Sequence, residues 1–128
     1  MDVTPLVAAN QHIIQSYADG RFRVSGNVYE ASVIVMPDRV IAWEFSGGVG
    51  DLSEDDFAPL VQRAETLDVV LLGCGKAMAF LPAPLRQALK ERGLNIEVMD
   101  TGAACRTYNV LLAEGRRVAA VLLPFPVK

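Results

Sequence analysis

The sequence predicts a layered α/β fold in a single domain, with a mixed central sheet, three helices and an antiparallel N-terminal part. Three observations predict it. Before Gly50 the patterns are those of β-strands, with Asp-Gly and Pro-Asp turn signals between them. After Gly50, short apolar runs alternate with stretches of helical spacing, and strands separated by single helices favour parallel pairing. The 128 residues are enough for one core rather than two, and no repeat, low-complexity tract or linker divides them.

The elements follow in order. Ile13-Ile14 and Phe22-Arg23-Val24 flank Ala18-Asp19-Gly20, a hairpin signal. The runs Ala31–Met36 and Val40–Phe45 are nearly continuous in apolar side chains, so both read as strands covered on two faces, with Pro37-Asp38 turning between them. Trp43, inside the second run, reads as a core or interface residue. Ser53-Glu54-Asp55-Asp56 opens a first helix, with Ser53 accepting from the early amides and the acids at the positive end of the dipole. Phe57, Leu60, Val61 and Ala64 form its core stripe. Asp68–Leu72 is a buried strand ending in Gly73-Cys74-Gly75. Pro84 fits the first turn of a second helix that buries Leu85, Ala88 and Leu89 and stops at Gly93. Asn95–Met99 is the next strand. Thr101 caps a third helix carrying Ala104, Cys105, Tyr108, Leu111 and Leu112 on one side, and Gly115 lies beyond its end. Val118–Leu123 is the last strand, and Pro124 stops it.

Composition excludes several classes of function. Hydrophobic residues make up 52% and charged residues 21%, which excludes disorder. Twelve Lys and Arg against fifteen Asp and Glu leave a net charge of −3, too little basic surface for nucleic acid to be a partner. Cys74, Cys105 and the single His12 stand far apart in the chain, so no metal site or cofactor is expected. Two lone thiols, an N-terminus without a basic region and a longest apolar stretch broken by Pro124 and Pro126 point to a cytoplasmic protein without a transmembrane segment.

Two constellations could carry chemistry. Gly73-Cys74-Gly75-Lys76 follows a buried strand, where glycines let a ligand approach the backbone and Lys76 would neutralise an anion. It matches neither phosphate-loop spacing, and a tight turn needing small residues explains it as well. Thr101 to Arg106 opens a helix whose free amides would attract an anion, with Arg106 in support. An ordinary cap with small residues packed close to the sheet is the plain account. If the two strands are neighbours, these segments frame one shallow pocket. No base stands beside either cysteine, so no catalytic residue is assigned. Asp51, Glu54, Asp55 and Asp56 read as solvated helix-start acids rather than a metal cluster.

The run from Gly93 to Pro124 carries a resemblance. Glu97 to Leu111 matches the pattern E-x-M-x-T-x-A-A-x-R-T-Y-N-x-L, with weaker support from Trp43, Asp51-Leu52 and the G-x-G at Gly73–Gly75. In these residues the chain resembles the Mth938-like family of uncharacterised domains, which includes mitochondrial respiratory complex I assembly factor three and bacterial relatives. The resemblance implies that residues 1–128 form one such domain, with about five strands in the mixed sheet and an added N-terminal β-hairpin layer. It implies a bacterial, non-enzymatic protein-interaction domain whose partners are respiratory complex subunits or assembly factors, with membrane contact at most peripheral. The alternative is an anion- or nucleotide-binding protein or enzyme using the pocket at Gly73–Lys76 and Thr101–Arg106. Within the signature Tyr108 reads as structural, while Arg106 and Asn109 brace the glycine loop or contact the partner.

Overall fold

A computed structural model of the protein describes residues 12–18, 20–43, 45, 47–76 and 79–124. Strands β1 (Ile14–Ala18), β2 (Arg21–Val24) and β3 (Asn27–Tyr29) form an antiparallel sheet in that order. In β2 exposed Arg21 and Arg23 alternate with buried Phe22 and Val24, which gives it one wet and one dry face. Asp19 of the predicted turn lies outside the described residues. β3 adds a third strand to the expected hairpin. Its Asn27 and Val28 are exposed, so no buried pattern announced it.

Strands β4 (Val33–Met36), β5 (Arg39–Ala42), β6 (Val69–Cys74), β7 (Ile96–Met99) and β8 (Val118–Leu123) make a second sheet in the order β5-β4-β8-β6-β7. It is mixed: β4 runs antiparallel to β5 and β8, whereas β6 runs parallel to β7 and β8. Near-continuous apolar runs do mean two covered faces in β4, β6 and β8, but not in β5, an edge strand whose Arg39 and Ala42 are exposed and whose Val40 and Ile41 are half-buried. Val33, Val35, Val69, Leu71, Val118, Ala120 and Leu122 point to one core. Ile34, Met36, Val70, Leu72, Ala119, Val121 and Leu123 point to the other. Both strands of the β4–β5 hairpin are shorter than expected, since Ala31 and Ser32 precede β4 and Trp43 and Phe45 follow β5.

The helices divide between the faces. α1 (Ala58–Val61) and α2 (Ala83–Glu91) cover one through Leu60 and Leu89. α3 (Thr101–Ala113) covers the other together with β1 and β2. Gly93 (φ 89°) and Gly115 (φ 81°) follow α2 and α3 in the left-handed conformation, as the sequence predicts. The first helix needs correction. Instead of running from Ser53 past Ala64, the segment breaks into a 3₁₀ turn at Glu54–Phe57, the four residues of α1, and a further turn at Ala64–Thr66. Pro59 has no N–H to continue a helix through Asp55, and the Asp56 carbonyl is taken by the Trp43 indole N–H at 2.7 Å. Phe57 and Leu60 are buried all the same. Ser53 also acts in the opposite sense, its N–H and hydroxyl donating to Asp56 Oδ2 at 2.8 and 3.2 Å.

Candidate functional site

β6 and β7 are parallel neighbours, and their following helices leave on opposite faces, so the crevice between their carboxyl ends is where a ligand site would form. Here that crevice is stitched shut. Thr101 N–H donates to the Gly75 carbonyl at 2.9 Å. The Thr101 hydroxyl accepts from Gly75 N–H at 2.8 Å and donates to the Leu123 carbonyl at 2.5 Å. Thr101 is wholly buried and is not the cap. Asp100 is: its Oδ1 accepts from Ala103 N–H at 2.9 Å. The helix-start amides of Thr101 and Ala103 are therefore already engaged, and a carboxylate sits beside them. Gly73 is favoured by crowding, because a Cβ there would lie 3.0 Å from Thr101 Cα and from Leu122 Cδ2.

The open space lies on the other side of the glycine loop. A hollow of about 440 Å³ is bordered by Cys74, Gly75 and Lys76, and across from them by Glu30, Ser32, Phe45, Gly47 and Gly48. Thr101, Arg106 and Asn109 do not line it. Sequence reading brings Cys74, Gly75 and Lys76 to this hollow but misses the opposite wall, whose residues follow β3 and β5 and belong to no local motif. Lys76 is exposed, and Glu30 on the facing rim is also exposed.

The signature on α3 has a different destination. Tyr108, fully buried, donates its hydroxyl to the His12 carbonyl at 2.9 Å. Asn109, 2% exposed, accepts from Ile14 N–H at 3.0 Å and donates to the Ile14 carbonyl at 2.7 Å. Arg106 donates to the Tyr17 hydroxyl at 2.6 Å. All three side chains grip β1 and its approach rather than the glycine loop. Gly102 completes the seat: a Cβ there would lie 2.9 Å from the Tyr17 hydroxyl.

The thiols differ. Cys105 is fully buried, and desolvation pushes its pKa up to about 12. Cys74 is half-buried; its Sγ donates to the Met99 carbonyl at 3.1 Å and accepts from Ala79 N–H at 3.2 Å. His12 sits at the opposite end of the sheet, its N–H on the Pro37 carbonyl. Pro37 follows β4 near the level of Val118 while Cys74 is level with Leu123, which at ~3.3 Å per residue separates them by roughly 16 Å. The acids after Gly50 serve local structure. Asp51 Oδ2 accepts from Gly48 N–H at 3.1 Å, and Glu54 pairs with Arg92 at 3.1 Å. Among the described residues no group of three or more His, Cys, Asp or Glu is placed to hold a metal.

Residues 14–123 match the family described as "Protein of unknown function (DUF498/DUF598)". The chain belongs to this family. An uncharacterized protein of Rhodobacter capsulatus is 38% identical over 113 residues, covering 88% of this chain and 85% of that one. The human protein named NADH dehydrogenase [ubiquinone] 1 alpha subcomplex assembly factor 3 is 34% identical over 119 residues, 93% of this chain. The match spans 64% of the human protein's length. Among solved structures, a Mth938-like domain of Bordetella pertussis superposes with a TM-score of 0.77 at 26% identity, covering 98% of this chain and 92% of that one. The mixed five-stranded sheet with its added antiparallel sheet is thus the Mth938-like fold. Among the described residues no helix is long and apolar enough to cross a membrane.

Proposed function

We propose that this chain is a non-enzymatic protein-interaction domain that acts in the manner of a respiratory complex I assembly factor. One observation carries the reading: the 34% identity to the human assembly factor extends over 93% of this chain. The geometry supports it from another direction. The family signature on α3 is spent on holding β1, and the glycine loop is tied to Thr101, so neither presents a set of reacting groups. Of the residues singled out in the sequence, Lys76 is exposed and available to a partner and Arg106 is exposed but bonded to Tyr17, whereas Gly73, Thr101 and Asn109 support the fold. The domain works from the cytoplasm and touches membranes only peripherally. A tagged chain recovered from its native cells after crosslinking should bring with it respiratory NADH dehydrogenase subunits or other assembly factors. Deleting the gene should lower the amount of assembled complex on native gels. An unchanged level of assembled complex in the deletion strain would refute the proposal, as would turnover of a metabolite that Cys74→Ala abolishes.

A further inference from the structure

We infer that the outer edge of β5 is a docking groove for an extended segment of a protein partner carrying apolar side chains flanked by Lys or Arg. This rests on the protein-interaction reading and specifies its partner chemistry. β5 is the terminal strand of the five-stranded sheet, so one side of its backbone has no strand beside it among the described residues. Trp43 N–H donates inward to the Ser32 carbonyl, and backbone groups alternate along a strand. The N–H and C=O of Val40 and Ala42 therefore face outward. A strand laid there gains main-chain bonds, and a pocket for its side chains adds selectivity.

That pocket is present. A hollow of about 310 Å³ adjoins the strand, floored by Ile34, Ile41, Trp43 and Pro59 and rimmed by Asp55 and Asp56. Asp55 is exposed, and Asp56 is half-buried. Glu54, next to them, is already matched by Arg92. The rim is thus anionic over an apolar floor, which selects a basic and apolar occupant and repels an acidic one. Arg39, the charged residue of β5, stands at the far end of the strand from Ala42 and does not line the hollow. Edges left open in this way are usually blocked by inward charges, bulges or proline, and β5 has only Arg39.

The chain's single tryptophan forms part of the floor and reports on occupancy. Two synthetic hexapeptides serve as probes, one alternating Lys with Val and Ile, the other alternating Glu with the same residues. The basic peptide should shift Trp43 emission and the Val40 and Ala42 amide resonances, and the acidic one should bind at least tenfold more weakly. Ala42→Pro removes an outward donor without touching the ladder to β4, and Asp55→Lys reverses the rim. Each should weaken the basic peptide at least tenfold while thermal melting stays near wild type. Equal binding of both peptides, no response at Val40 and Ala42, or full binding by a folded Ala42→Pro protein overturns the groove. So does a dimer in which these amides are protected without peptide, since a second copy is then the occupant. Should wild type and both variants recover the same respiratory subunits from native cells, the groove falls while the assembly role stands. Should wild type recover none while the basic peptide binds as described, the assembly role falls instead.

Discussion

Asn109 does for β1 what a neighbouring strand would do, offering one acceptor and one donor to the N–H and C=O of Ile14. Asn109→Ala leaves both groups buried without those partners and should cost about 2–4 kcal/mol in urea unfolding. Tyr108→Ala should cost about 3–5 kcal/mol, as large aromatic truncations in cores do, whereas Tyr108→Phe should cost about 1 kcal/mol through the lost bond to His12. Arg106→Ala removes only an exposed side chain's bond to Tyr17 and should stay within about 1.5 kcal/mol. This gradation separates residues that hold the fold from one whose exposed side chain adds little to it; an Arg106→Ala protein as unstable as Asn109→Ala would erase the distinction. Gly73→Ala should destabilise by about 1–3 kcal/mol, because the new methyl would crowd the Thr101 backbone and the Leu122 side chain at 3.0 Å. Thiol labelling gives an independent check: Cys74 should react with an aromatic disulfide well before Cys105, whose thiol is buried and held protonated.

Between elements, two ion pairs stand at the end of the sheet opposite the glycine loop. Asp38, in the turn between β4 and β5, meets Arg63 just past α1 at 2.6 Å. Asp68, at the entry to β6, meets Arg117 at the entry to β8 at 2.8 Å. In each case the guanidinium bond holds the carboxyl below its ordinary 3.8. The folded chain therefore binds fewer protons than the unfolded one, so the pairs support the fold above the usual carboxylate range and lose their effect as pH falls through the lowered pKa. Asp38→Asn and Asp68→Asn should each be slightly destabilised at neutral pH and converge on wild type as pH falls through the lowered pKa, by chemical unfolding across that range. A deficit that persists at low pH would assign these residues a packing role instead. At this scale the sequence was legible wherever burial was periodic: β4, β6 and β8 showed their two dry faces, and α2 and α3 showed their stripes and glycine stops. It was illegible where a distant group intervened. Trp43 claims the Asp56 carbonyl and breaks the first helix, and Thr101 turns from cap to staple because Leu123 and Gly75 lie beside it. The grip of α3 on β1 joins residues some ninety positions apart, which no local spacing can reveal.

For the whole molecule, the closed crevice makes a prediction against anion binding. A ligand present at about 100 times its dissociation constant would stabilise the fold by ~2.7 kcal/mol, so phosphate, sulfate and common nucleotides should leave the melting temperature unmoved. A clear upward shift, lost in Thr101→Val or Lys76→Ala, would reopen the small-ligand reading. The placement of β8 has a consequence of its own. β8, the last of the described strands to be synthesised, lies between β4 and β6 and bonds to both. At roughly 5–20 residues per second, β4 waits on the order of ten seconds after its own synthesis for that neighbour. The nascent chain can build its small antiparallel sheet and the β4–β5 hairpin early, but its main sheet closes only once β8 has emerged. A message truncated before Val118 therefore yields a polypeptide with two adhesive, unsatisfied strands, a substrate for chaperones and proteases rather than a shortened working domain.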